Sequence, residues 1–144
     1  MEAEADVEVA QTADNSDNFL KALVVDDILY IVRSIARILS AEGIFVLTAT
    51  SGKEAIEKFV QYGPDLVTVD QRLPDMSGLS LVERIREIEG NPKAKIVFIS
   101  SVYDKEEIRS ILQHNIDGYL IKPFQKSRLV ETVRGLVESS GNEE

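Results

Sequence analysis

Five short apolar runs, each followed by an amphipathic stretch, constrain this chain more than any other feature. The first run is Leu20 to Val25, ending in Asp26-Asp27. After it, Ile28, Ile31, Val32, Ile35, Ile38 and Leu39 recur at helical spacing, and Gly43 falls where a C-terminal cap belongs. Ile44 to Thr50 predicts a second strand. Ser51-Gly52-Lys53-Glu54 has the form of a capping box that opens a second helix, and Gly63-Pro64 stops it. Asp65 to Asp70 predicts the third strand, and Gln71 to Gly78, with Pro74 inside it, a loop. Leu79, Leu81, Val82, Ile85 and Ile88 mark a third helix, closed by Gly90-Asn91-Pro92. Lys95 to Ser100 follows as strand four. Asp104-Lys105-Glu106-Glu107 then opens a helix whose buried face is Ile108, Ile111 and Leu112. Gly118 to Ile121 is strand five, and Leu129, Val130, Val133, Leu136 and Val137 form the last apolar stripe.

This alternation predicts an α/β fold, a doubly wound five-stranded parallel sheet with helices on both faces. The strands are almost wholly apolar, as strands covered on both sides must be. Right-handed crossovers then bring every strand C-terminus to one edge, the edge at which open sheets bind ligands.

A length of 144 residues fits one domain. Six acids (Glu2, Glu4, Asp6, Glu8, Asp14, Asp17) precede Phe19 with no Lys or Arg among them. They carry −6 of the net charge of −9 and leave the body at only −3, so a grip on nucleic acid is not expected. Residues 1–18 read as a disordered acidic tail, 19–139 as the folded domain and 140–144 as a C-terminal tail. Cysteine is absent, which excludes disulfides, thiolate metal sites and cysteine nucleophiles. The acidic N-terminus is the reverse of a signal peptide, and no apolar run is long enough to insert in a membrane, so a cytoplasmic protein is expected.

The polar groups at the strand ends carry the functional signal. Strand one delivers Asp26 and Asp27, strand three Asp70, strand four Ser100 and Ser101, and strand five leads into Lys122-Pro123-Phe124. Strand two offers only Ala49, Thr50 and Ser51. Two carboxylates ~4 Å apart at an effective dielectric of ~20 repel by ~4 kcal/mol. A cluster of three needs positive charge. Lys122 supplies one unit, and a hard divalent cation such as Mg2+ or Mn2+ suits an all-oxygen site. With both present, Asp70 becomes a nucleophile able to form an acyl phosphate. Lys122 then neutralises phosphoryl oxygens, and Ser100 donates a hydrogen bond to one of them. Any one of these residues alone would read as a turn or cap residue, with Asp27 a natural cap for the first helix. Together, five coincide at one rim.

The chain resembles the receiver domain of bacterial response regulators from about Phe19 to Ser139. The resemblance rests on VVDD at Val24–Asp27, VTVDQRLPDMSG at Val67–Gly78, FISS at Phe98–Ser101 and DGYLIKPF at Asp117–Phe124, in that order. It implies the flavodoxin-like, CheY-like (βα)5 strand order 2-1-3-4-5, which general accounts of doubly wound folds give for the chemotaxis member of the family. It implies Asp70 as phosphoryl acceptor, Asp26 and Asp27 as metal ligands, directly or through water, and the backbone carbonyl of Arg72 as a further ligand. It further implies Ser100 and Tyr119 as switch residues, Lys122 as the phosphate's counter-ion, a cis Lys122–Pro123 bond, and Arg72 and Val102 as gates on the phosphoryl lifetime, a role that stands level with their being ordinary loop residues. The implied donor is a phosphohistidine on a histidine kinase or phosphotransfer protein. The implied output is an unidentified protein bound through the face of helix four, strand five and helix five. The acidic tail has no counterpart in the resemblance.

Few residues follow the last helix, so a stand-alone regulator, a self-phosphorylating and self-dephosphorylating switch rather than an enzyme, is the first expectation. Enzymes of the same architecture are the alternative. A flavodoxin-like protein needs a phosphate cradle after strand one, where Asp26-Asp27-Ile28 repels anions. A dehalogenase-type phosphatase needs a second Asp two residues beyond the first, where Ile28 stands. A phosphorylation-independent scaffold is the third reading. His114, the sole histidine, is expected in the last turn of helix four, suited to the helix dipole, rather than as a second phosphoryl carrier. Phe59 and Phe98 are expected in the core, and Phe124 against helix five. Met76, in the loop after strand three, carries no signal.

Overall fold

The computed structural model describes residues 20–90, 93–102 and 104–142, with side chains as far as residue 138. The expected acidic tail and the Asn91-Pro92 part of the third helix stop lie outside these residues. The elements are β1 (Lys21–Val25), α1 (Leu29–Ser40), β2 (Phe45–Ala49), α2 (Gly52–Tyr62), β3 (Leu66–Asp70), α3 (Gly78–Ile88), β4 (Lys95–Ser100), α4 (Lys105–Leu112), β5 (Gly118–Ile121) and α5 (Lys126–Asn142). The last helix therefore runs past the boundary expected at residue 139. All strands are parallel, in the order β2-β1-β3-β4-β5. No helix among the described residues is long and apolar enough to cross a membrane.

The sheet separates two cores. On one face Ala22, Val24, Val97, Ile99 and Leu120 meet Val32, Ile35 and Leu39 of α1 and Leu129 and Val133 of α5, with Phe124 packed alongside. On the other, Leu23, Val25, Val67, Val69, Ile96 and Phe98 meet Phe59 of α2, Leu81, Val82 and Ile85 of α3 and Ile111 of α4. Successive strand residues thus serve opposite cores, which is why the strands read as unbroken apolar runs. Three residues expected on buried stripes are largely exposed: Ile28 (51%), Ile88 (41%) and Leu112 (41%). Each sits at a helix end. Ile28 is the extended residue before α1, and Ile88 and Leu112 are the last residues of α3 and α4.

Local signals fixed most helix ends, with some exchanged partners. Ser51 Oγ accepts from the Glu54 N–H at 3.1 Å, but the Glu54 carboxylate accepts from Thr50 N (2.9 Å) rather than closing the box on Ser51. Asp104 caps α4 through Glu107 N. Asp27 does not cap α1, whose N-terminus has no side-chain cap. Ser77 caps α3 and Gly78 is already helical, so the predicted loop ends earlier than expected. Gly63 is left-handed (φ 57°) at the end of α2, and Gly43 (φ 85°) in the turn after α1, both conformations that favour glycine.

At the sheet edge opposite the strand ends, Arg86 ties three segments together. It donates to the Asn115 carbonyl, to Ala94 O (2.8 Å), to Asp117 Oδ2 (3.0 Å) and to Glu89 Oε2 (2.9 Å). Asp117 Oδ2 also accepts from Ile96 N. His114 lies just past α4 rather than in its last turn, with Nδ1 3.4 Å from the Glu83 carboxylate. It is at the edge away from Asp70.

A carboxylate site at the strand ends

The strand register aims the site. Asp70 pairs with Ile99, Ser100 with Ile121, and Val25 lies between Ala49 and Val69. One further backbone rung extends past three strands: Asp26 N to Ala49 O (3.2 Å), Gln71 N to Ile99 O (3.1 Å) and Lys122 N to Ser100 O (2.8 Å). The residues expected to carry chemistry are thus held on ordered backbone at one rim.

Lys122 joins two of the acids. Its Nζ donates to Asp70 Oδ1 (2.5 Å) and to Asp26 Oδ2 (3.1 Å). The other oxygen of each carboxylate accepts a local backbone N–H, from Arg72 for Asp70 (3.1 Å) and from Ile28 for Asp26 (3.0 Å). Asp26 and Asp70 are buried, whereas Asp27 is exposed. Carboxylate oxygens of all three lie within 4.8 Å of one another. The Lys122–Pro123 peptide bond is cis.

Electrostatics follow from this crowding. Burial pushes the Asp26 carboxyl pKa up, the Ile28 N–H opposes it, and the Asp70 charge adds to the rise that Lys122 only partly offsets. Burial works to lower the Lys122 pKa, but its hydrogen bond to Asp70 and the charges of Asp26 and Asp70 outweigh this, so it stands above the ordinary lysine value. One ammonium facing three carboxylates leaves the rim negative. The donors are all oxygen, and one acid is open to solvent. That chemistry fits a hard divalent cation that keeps part of its water shell.

The remaining candidates form a second layer. Ser100 is buried, and its hydroxyl donates to Gln71 Oε1 (2.6 Å) while accepting from Val102 N (3.0 Å). It is therefore at the rim but engaged away from Asp70. Tyr119 is half-buried, stacked on Phe98 with centroids 6.3 Å apart, and its hydroxyl donates to Val102 O (2.8 Å). The Arg72 side chain is exposed, while its backbone serves Asp70.

Three contributors escaped sequence reasoning. Gln71 reads as a loop residue. Gly78 reads as a loop breaker, yet a Cβ there would stand 2.2 Å from the Asp70 carbonyl oxygen and 2.9 Å from Phe98 Cε1. Asp75 falls within the predicted loop with no role assigned, yet its carboxylate accepts from Gly52 N (2.8 Å) and Lys53 N (2.9 Å), capping α2 from the loop that follows Asp70. These bonds hold the Asp75 pKa below the ordinary carboxylate value. Met76, beside it, packs on Gly52 and fills the same junction.

Comparison with known proteins gives the site its context. The family model for the response regulator receiver domain matches residues 22–134. The chain is 33% identical over 121 residues to the chemotaxis protein CheY of Treponema pallidum, covering 82% of this chain and 83% of that protein. It is 32% identical over 114 residues to CheY of Thermotoga maritima, covering 78% and 93%. Among solved structures, a CheY-like response regulator receiver domain protein from Methanospirillum hungatei is similar with a TM-score of 0.80 at 27% identity, covering 88% of this chain and 100% of that one. Five parallel strands in the expected order, the acidic rim and these matches lead to one conclusion: the chain belongs to the response regulator receiver domain family, whose members are signalling switches rather than conventional enzymes.

Proposed function

We propose that Asp70 accepts a phosphoryl group from a phosphohistidine of a partner histidine kinase or phosphotransfer protein. The observation that carries the reading is the buried Asp70 carboxylate, clamped by Lys122 and crowded by Asp26 and Asp27. Asp26, Asp27, Asp70 and the Arg72 carbonyl are the groups that would hold Mg2+ or Mn2+. When bound, such an ion supplies neutralisation of charge on the phosphoryl oxygens.

An Asp70 oxygen attacks phosphorus, the P–N bond to the donor imidazole breaks, and the imidazole keeps the bonding electrons and takes up a proton. Lys122, already within reach of Asp70, stays beside the added negative charge. Arg72 N–H keeps the carboxylate oriented. In-line attack by water later returns the Asp70 carboxylate and inorganic phosphate, and Arg72 and Val102 gate that water. The new charge draws in the Ser100 hydroxyl, Tyr119 turns into the space left behind, and the α4-β5-α5 face repacks for an output protein. On this reading the chain signals by phosphorylation-dependent protein binding.

Acetyl phosphate with Mg2+ tests the proposal directly. Intact-mass spectrometry should show one added phosphoryl group on the wild type and none on Asp70→Asn. Equal labelling of the two proteins refutes Asp70 as the acceptor.

A further inference from the structure

We infer that Gln71 is a positioning residue that holds Ser100 in its resting orientation and so sets how readily the switch turns on. The inference rests on the phosphoryl-acceptor reading above and adds the group that opposes activation.

A serine hydroxyl has one proton to donate. Here it goes to Gln71 Oε1 at 2.6 Å, while the Val102 N–H occupies the hydroxyl oxygen at 3.0 Å. Ser100 is 1% exposed, so solvent does not compete for it. The hydroxyl cannot donate to a phosphoryl oxygen on Asp70 until the bond to Gln71 breaks. The mount of Gln71 is firm: its N–H donates to Ile99 O, and its carbonyl accepts from Gly78 N at 2.7 Å. The latch is thus built across the ends of β3 and β4, beside the acceptor itself.

The chain of contacts reaches the outer face. Val102, which donates to Ser100, offers its carbonyl to the Tyr119 hydroxyl at 2.8 Å. Gln71, Ser100, Val102 and Tyr119 therefore form one hydrogen-bonded line from the residue after the acceptor to β5. Releasing its first bond frees the rest to rearrange. One neutral hydrogen bond shifts a two-state population by about 3- to 10-fold.

The test uses beryllofluoride, a phosphoryl stand-in, titrated with Mg2+ into the full chain and read by intensity changes in NMR spectra of ring-labelled tyrosine. Gln71→Met, which keeps bulk and removes the acceptor, should lower the half-saturating concentration about 3- to 10-fold. It should also move the Tyr119 ring signal of the unmodified protein toward its saturated position. Gln71→Ala should do the same if the methionine variant folds poorly. In a Ser100→Ala background the Gln71 substitution should change nothing, because the bond it removes is already gone. Unchanged or weaker saturation by both Gln71 variants, or an equal effect without Ser100, overturns the latch. If instead the wild type binds no beryllofluoride, or Asp70→Asn binds it equally, the acceptor reading fails and the latch with it. The two failures are therefore distinguishable.

Discussion

Replacing Asp26 by Asn should stabilise the metal-free protein while removing its response to Mg2+. Lys122 attracts the Asp26 carboxylate across 3.1 Å, worth about 5 kcal/mol at an effective dielectric near 20. Against this stands repulsion from Asp70 within 4.8 Å, about 3.5 kcal/mol on the same scale. Withdrawing a carboxylate that is only 1% exposed from water costs several kcal/mol more. The sum is a net penalty on the charged form, of the same sign as the raised Asp26 pKa. Asparagine keeps an oxygen for the Ile28 N–H and sheds the charge. We expect a gain of about 1–2 kcal/mol in EDTA, a rise in Tm of roughly 3–8 °C by calorimetry. With Mg2+ at ten times its Kd, the wild type should gain about 1.4 kcal/mol and the variant much less, so that the gap narrows or closes. An Asn variant less stable than wild type in EDTA, or an equal Mg2+ shift in both, would refute the reasoning.

Three other perturbations probe the scaffold. Gly78→Ala forces a Cβ against the Asp70 carbonyl and the buried Phe98 ring, so urea denaturation should show a loss of about 3 kcal/mol, with weaker phosphoryl labelling alongside. A near-neutral result would mean the strand end yields easily. Arg86→Met removes the guanidinium from Asp117, Glu89 and two carbonyls, leaving the two carboxylates only backbone N–H partners, and should cost about 3–5 kcal/mol, with faster amide exchange at residues 113–117. A loss under about 1 kcal/mol would show the network to be incidental. Asp75→Asn tests pH dependence. The Asp75 pKa is lowered by folding, so its contribution is present above about pH 4 and is lost as pH falls through the folded value. The stability difference between wild type and variant should shrink on acidification below that pH, and a difference that grows there contradicts the sign.

The strands were legible because both faces of a parallel sheet are covered, leaving runs such as Leu66 to Val69 without a polar break, while their order was implied by the family resemblance. Parallel strands with right-handed crossovers bring Asp26, Asp70 and Lys122 to one rim, and the order implied by the resemblance sets β1 beside β3, so that the two acids adjoin. What stayed hidden depends on how loops fold back. Nothing near Asp75 in sequence announces that it caps a helix beginning at Gly52. The Gln71–Ser100 bond needs the pairing of β3 with β4 before it has meaning, and Arg86 finds Asn115 and Asp117 only after α4 has crossed the sheet edge. Ile88 and Leu112 misled because helical spacing identifies a stripe but not where the helix overruns the sheet beneath it.

The extra rungs that carry Asp26, Gln71 and Lys122 make strand alignment a condition of reactivity as well as of stability. Side chains alternate along a strand, so a β3 paired one residue out of step would present Val69 or Gln71 to the lysine in place of the acid. Such a molecule could remain compact and yet be mute to its phosphodonor, its competence lost to a displacement of a single peptide unit.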